Sequence, residues 1–372
     1  MLLQEKNNPQ ESRDCMTGNL FEDAKKYCEF HFMYGGGDKS ADIRAGVNNL
    51  LAEYHNATQP IMCRQTLLER IKYVFDLAKS DSSHKKFYII RKSGRHGLFS
   101  YVTIFFSHIC YALAQGLIPV IDMQTLPCKY VEEESSIKNG WELFFKQPCG
   151  YTLDDVAKSG GEYFFSSIDV FPQHLTVGVQ WGNEMQPFKH YDILRRLYSN
   201  FFHLNDSVVE YVNAAHEKLF PHSARILGVK CRGTDYTQPE NLKYHAIQPK
   251  PENVIDYVRE VMPKWTCDYI YLATEERRIY ELFNNAFPGR VIKSNDMFYD
   301  DVDVDYSKTL IDEVNFDRDN DVFLRGAEYI TDIILLSRCT SSVFGINNGS
   351  TAALYINDGK YENVHVFNLG VY

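Results

Sequence analysis

The feature that most limits how this chain can fold is one pattern used twice: a short apolar run, a glycine-bearing polar loop, then an amphipathic stretch. Phe87-Tyr88-Ile89-Ile90 opens the first series. Lys92-Ser93-Gly94-Arg95-His96-Gly97 follows, residues 100–115 keep helical spacing as far as Gly116, and Ile118-Pro119-Val120-Ile121-Asp122 is the next apolar run. Strand, loop and helix in alternation predict a parallel sheet. The loops then lie at strand carboxyl ends, where open α/β sheets bind ligands.

The second series is longer. Strands are predicted at Ile226 to Cys231, Tyr269 to Ala273, Val291-Ile292 and Ser342 to Ile346. Helices are predicted at Pro251 to Val261, 276–286, Gly326 to Ser337 and Ala352 to Ile356. Residues 1–80 are polar with helical patches at Glu22 to Phe30 and Thr66 to Ala78, and 128–200 are less regular. A helix near 205–219 ends at Pro221. At ~150 residues per domain, the 372 residues suggest two domains, here 1–220 and 221–372.

Hydrophobic residues at 44% and charged residues at 24% describe an ordinary folded core. The formal charge of -10 argues against a general nucleic-acid or anionic-membrane binder. Nine scattered cysteines with no Cys-x-x-Cys argue against a zinc site or a disulfide framework. Met1 to Leu20 is polar and mixed in charge, unlike a signal peptide, and no apolar run suggests a membrane span. The expectation is a cytoplasmic protein with reduced thiols, with peripheral membrane contact left open.

Three strand ends in the second half carry polar chemistry. Asn347-Asn348-Gly349-Ser350-Thr351 reads as a small polar loop leading into a helix, whose free N–H groups and hydroxyls suit phosphate oxygens; the alternative is an ordinary N-cap by Ser350 or Thr351. Arg232 has the planar fork that clamps a diphosphate, or it forms an ion pair, for instance with Asp235. Glu275 and Glu276 offer acceptors to a sugar or ribose, or they are first-turn helix acids favoured by the dipole. Parallel strands bring such ends to one edge.

These segments resemble the GDP-fucose-dependent fucosyltransferases: the core α1,6, the rhizobial nodulation and, more distantly, the protein O-fucosyltransferases. Gly228-Val229-Lys230-Cys231-Arg232-Gly233-Thr234-Asp235 resembles their His-x-Arg-x-x-Asp segment. Tyr271-Leu272-Ala273-Thr274-Glu275-Glu276 resembles the second motif, and Thr331-Asp332-Ile333 with Leu335-Leu336-Ser337 the third, which continues through 342–351. Order and spacing agree over residues 224–358. The resemblance implies a GT-B type α/β fold, two Rossmann-like domains facing a central cleft, with an acceptor-side N-terminal domain and a donor-binding C-terminal one. It implies metal-independent transfer of a sugar, L-fucose from GDP-fucose, with inversion, to a hydroxyl of a glycan or glycoconjugate. No cofactor, metal or nucleic acid is expected.

Carried over, Arg232 holds the β-phosphate and stabilises the leaving GDP. Asp332 accepts from guanine N1 and N2, and Asn347 to Thr351 bind diphosphate or fucose. Thr274, Glu275 and Glu276 line the ribose and sugar side, and Lys230 stands where the family has His. Asp235 and Glu275 are catalytic-base candidates, with His96 and His245 weaker ones. Arg95, His96 and Gly97 are acceptor-side candidates, as are Trp141 and Trp181 by position. The absence of a signal suggests a bacterial polysaccharide or oligosaccharide pathway. Gly233 replaces a second family Arg and Asn347-Asn348 replaces Ser-Ser, so a UDP- or other nucleotide-sugar donor, or a catalytically silent binder, stays open.

Two acidic patterns start in the hydrophilic stretch 296–321, the second reaching Glu328. Asp301-Val302-Asp303 matches the Asp-x-Asp of metal-dependent glycosyltransferases, but Asp303-Val304-Asp305 repeats it, and a solvated loop is expected. Asp317, Asp319, Asp321 and Glu328 fall on calcium-loop positions, but Val322 stands where that loop needs Gly.

Overall fold

The computed structural model describes residues 64–81, 85–92, 96–126, 128–131, 136–166, 191–233, 245–295, 297–306, 311, 314–370 and 372. The patch at Glu22 to Phe30, Arg95, Trp181 and Asp235 lie outside them.

After helix α1 (Arg64–Lys79), strand β1 (Lys86–Ile90), helix α2 (Leu98–Gln115) and strand β2 (Ile118–Ile121) form the first βαβ unit. Helix α3 (Leu153–Ser159) leads to β3 (Glu162–Phe165), and the parallel sheet has the order β2-β1-β3. Ile89 sits opposite Val120 on one side and Phe165 on the other. Both faces of β1 are covered, and that is why Phe87 to Ile90 reads as a continuous apolar run. Gly116 ends α2 at φ +69°, its N–H returning to Leu113 O.

By length and composition helix α2 could cross a membrane, but most of it is buried in this core. Its His108 is wholly buried. Nδ1 lies 3.2 Å from the Tyr88 hydroxyl, while Nε2 has no partner among the described residues. Burial, and secondarily Lys92, push the His108 pKa down to about 3 from 6.5. The folded state therefore binds fewer protons than the unfolded state between those values. His108 should favour folding fully above pH 6.5, and that contribution is lost as pH falls toward 3, at up to about 1.4 kcal/mol per pH unit. We expect His108→Gln to remove this slope in denaturant melts run from pH 3 to 7; an unchanged slope would mean the imidazole is hydrated.

The segment 128–200 is more regular than its sequence suggests, holding α3, β3 and helix α4 (Tyr191–Phe201). Trp141, an acceptor candidate by position, is instead wholly buried, with Nε1 donating to Lys146 O at 3.1 Å. Helix α5 (Asp206–Leu219) is capped by Asn205 and precedes β4 (Ile226–Lys230), which crosses to the second sheet.

That sheet is also wholly parallel, in the order β6-β5-β4-β7-β8. Helix α6 (Pro251–Lys264) joins β4 to β5 (Tyr269–Ala273), and α7 (Arg277–Ala286) joins β5 to β6 (Val291–Ile292). The chain then returns through α8 (Asp321–Ser337) to β7 (Ser341–Gly345) on the other side of β4, and α9 (Asn348–Asn357) leads to the edge strand β8 (Asn363–Phe367). One sheet face packs on α6 and α7. On the other, α8 packs on α5 and α9 on α4 and α2, so one apolar core runs continuously between the two sheets. Two parallel α/β units packed in this way form the GT-B type arrangement expected from the sequence. The reversal of strand order between β4 and β7 opens a crevice at their carboxyl ends, the usual ligand position.

Candidate active site

A cavity of about 330 Å³ occupies that crevice. Lys230 and Arg232 enter it from the end of β4, Thr274 and Glu275 from β5, and Asn347 and Asn348 from β7. Asp332 and Tyr329 reach it from α8, while His96 and Gly97 face it from the start of α2. The structure thus brings residues from the three sequence motifs together with the loop of the first unit.

Arg232 and Glu275 form the centre. Arg232 Nε donates to Glu275 Oε1 at 3.0 Å, and the same oxygen accepts from the Gly233 N–H at 3.0 Å. Both side chains are only 10% exposed. Burial works against the Glu275 charge, but Arg232, Lys230 and the Gly233 N–H outweigh it and hold its pKa below the usual carboxylate range. Such a carboxylate is a poor proton acceptor and a good anchor for a guanidinium fork. Lys230 is 3% exposed, with Nζ 5.4 Å from the Tyr329 ring centroid. Burial, aided by Arg232, lowers its pKa, and Glu275 and Asp332 pull the other way.

Asp332 is placed by the helical face that α8 turns to the sheet. Its Oδ1 accepts from the Tyr271 hydroxyl at 2.8 Å and from the Ser294 hydroxyl. Asn347, at the end of β7, caps α9: Asn347 Oδ1 accepts from Ser350 N at 3.0 Å, and Ser350 Oγ accepts from Asn347 N at 3.2 Å. The positive end of the α9 dipole is therefore directed at the cavity.

The reading of 347–351 as a loop is corrected. Residues 348–351 are the first turn of α9, and only Asn347 and Asn348 line the cavity. Ser350 and Thr351 are wholly buried; their hydroxyls donate to Gly345 O at 2.6 Å and Asn347 O at 2.9 Å. Gly349 is buried against Tyr329 and Ile333. Glu276 also stands outside the cavity lining, at the N-cap of α7. Its carboxyl group lies over Gly233, where a Cβ would come within 2.2 Å of it. The space beside Gly233 is thus occupied by a neighbouring acid.

The acidic patterns have structural partners. Asp301 is gripped by Arg277 through two bonds of 2.8 and 2.6 Å, and Asp300 caps α7 through the backbone N–H groups of Arg277 and Arg278. Glu328 takes both Arg318 Nη atoms at 2.7 and 2.8 Å, and Asp321 pairs with Arg318 and Arg325.

The sequence reading missed several lining residues. Lys129, Tyr130, Lys293 and Asn295 come from turns between elements, where periodicity gives no signal, while Tyr299 opens a short 3-10 turn and Arg325 stands in the first turns of α8.

No known family profile matches the chain, and no curated protein does. Among solved structures it is similar to the fucosyltransferase NodZ from Bradyrhizobium, at 16% identity over 73% of this chain and 93% of that one, with a TM-score of 0.45. It is similar to POFUT1 in complex with GDP-fucose, at 9% identity over 77% and 99%, TM-score 0.46. It is also similar to Arabidopsis thaliana FUT1 in complex with GDP, at 11% identity over 87% and 79%, TM-score 0.40. Fucosyltransferases are the group that the three motifs resemble.

Proposed function

We propose that this protein is a glycosyltransferase that moves a sugar from a GDP-sugar, most directly L-fucose from GDP-fucose, to a hydroxyl of a glycan or glycoconjugate. The observation that carries the reading is the meeting of Arg232, Glu275, Asp332 and Asn347, taken from three separate sequence motifs, around one cavity at a strand-order switch.

In this reading the diphosphate lies against Arg232, Lys230 and the start of α9. Glu275 positions the Arg232 fork. As the acceptor oxygen bonds to the anomeric carbon from the opposite face, the bond to the β-phosphate oxygen breaks, with inversion. Arg232 and Lys230 stabilise the charge that develops on GDP, the role a metal ion fills elsewhere. Asp332 is an acceptor for the N1–H and 2-amino group of guanine. The acceptor hydroxyl approaches from the α2 side, past His96 and Gly97, and the imidazoles of His96 and His245 stand at the cavity as bases for its proton.

The test is donor turnover. Purified protein given GDP-fucose should release GDP, slowly to water and faster with a suitable glycan. Asp332→Ala should weaken GDP binding by roughly tenfold or more while leaving UDP binding nearly unchanged. Turnover of a UDP-sugar in preference to GDP-fucose would reassign the donor, and turnover of neither would leave a binding role.

A further inference from the structure

Asp332 does not stand alone. Tyr271 projects from β5 toward α8, because alternate residues of that strand face opposite sides: Ile270 and Leu272 belong to the core under α6 and α7, Tyr271 and Ala273 to the core under α8. The Tyr271 ring is wholly buried and packs edge-on against Phe220 at 5.4 Å, so its hydroxyl has one direction to point. In register, Tyr271 pairs with Ile292, and Ser294 follows two residues later at the carboxyl end of β6. Both hydroxyls therefore converge on one atom, Asp332 Oδ1. Ser294 is itself held, its Oγ accepting from Asn295 Nδ2 at 3.2 Å. The Asn295 side chain is fixed in turn by Met297 N and Lys293 Nζ, both at 3.1 Å.

A carboxylate oxygen has about two lone-pair sites, and two hydroxyl donors fill those of Oδ1. The acceptor capacity left to the cavity is that of Oδ2. The carboxylate plane is set by the two donors before any ligand arrives, as preorganised recognition requires. Burial first, and then the Asp332 charge, push the Tyr271 hydroxyl well above its usual pKa, so it remains a donor.

We infer that Tyr271 and Ser294 are specificity-determining positioning residues, which fix Asp332 so that Oδ2 meets the hydrogen-bond donors of a guanine nucleoside diphosphate. This rests on the donor reading above. It adds that base discrimination depends on two hydroxyl groups, Tyr271 placed to act only through Asp332 and Ser294 acting through it, and that the β6 turn belongs to the base-binding apparatus.

The experiment is calorimetric titration of the full-length protein with GDP and with UDP. It compares wild type, Tyr271→Phe, Ser294→Ala, Ser294→Thr, Asp332→Ala, and each hydroxyl deletion combined with Asp332→Ala. Tyr271→Phe keeps the ring and its packing. We expect each hydroxyl deletion to weaken GDP about fivefold with UDP unchanged, Ser294→Thr to restore GDP affinity, and neither deletion to have any further effect once Asp332 is alanine. A merely structural role would lower both nucleotides together and persist in the Asp332→Ala background. If wild type prefers GDP but the deletions keep its GDP-to-UDP ratio, this inference alone is overturned. If wild type prefers UDP or binds neither, the donor reading falls and this inference with it.

Discussion

Replacing Arg232 by alanine should lower sugar transfer by a factor of roughly one hundred to one thousand, the usual cost of losing a charge aimed at a developing anion. It should also destabilise the fold. Glu275 is as buried as Arg232 and would keep only the Gly233 N–H on the shared oxygen. Removing one member of a buried ion pair costs about 3–5 kcal/mol. The two effects separate in the double variant Arg232→Ala with Glu275→Ala, which should regain much of the stability and none of the rate. Arg232→Lys keeps a charge but loses the fork, and should remain well below wild type. Initial rates and urea melts on the four proteins decide the matter. Near-normal turnover in the double variant would remove Arg232 from the chemistry.

The second large effect is on stability, at Gly326. This glycine lies inside α8, where helix propensity alone favours alanine by about 1 kcal/mol. Its neighbour reverses the sign. A Cβ there would lie 2.2 Å from Phe144 Cζ. Phe144 is wholly buried, stacked on Phe323 at 6.1 Å and edge-on to Tyr130 at 5.8 Å, so its ring has no free space to move into. Overpacking of this kind costs about 1–3 kcal/mol. We therefore expect Gly326→Ala to lose about 1 kcal/mol net in denaturant melts, the overpacking cost less the propensity gain, and Phe144→Leu in the same chain to recover part of it. Stabilisation by Gly326→Ala would mean that the first unit and α8 do not meet as closely as described.

The parallel sheets were legible in the sequence because a strand buried on both faces is an uninterrupted apolar run, as at Phe87 to Ile90 and Tyr269 to Ala273. What was not legible follows from the same physics. Glu162 to Phe165 and Asn363 to Phe367 lie on sheet edges, where half-exposed strands mix polar and apolar residues. The boundary between loop and helix at 347–351 was misread because Asn, Gly, Ser and Thr suit both a loop and a capped first turn, and only the Asn347–Ser350 capping box decides between them.

At the site, Arg232, Glu275 and Asn347 could be found because each follows a strand, and Asp332 through the resemblance of its helix to the family's third motif. Their partners could not. Nothing in the spacing of Tyr271 and Ser294 says that both reach Asp332, because they come from different strands and meet only through sheet register. Likewise Glu276 reads as a donor-site acid, and its position over Gly233 depends on how α7 leaves β5.

The measurement that tests the central claim most directly is titration calorimetry of the purified protein with GDP, UDP, ADP and CMP, supported by thermal shift. A ligand that binds the native state must raise its stability. The expected result is that GDP binds tightest and raises the melting temperature most. Preference for UDP would contradict the guanine reading of Asp332, and the absence of binding by any of the four would contradict the nucleotide site itself.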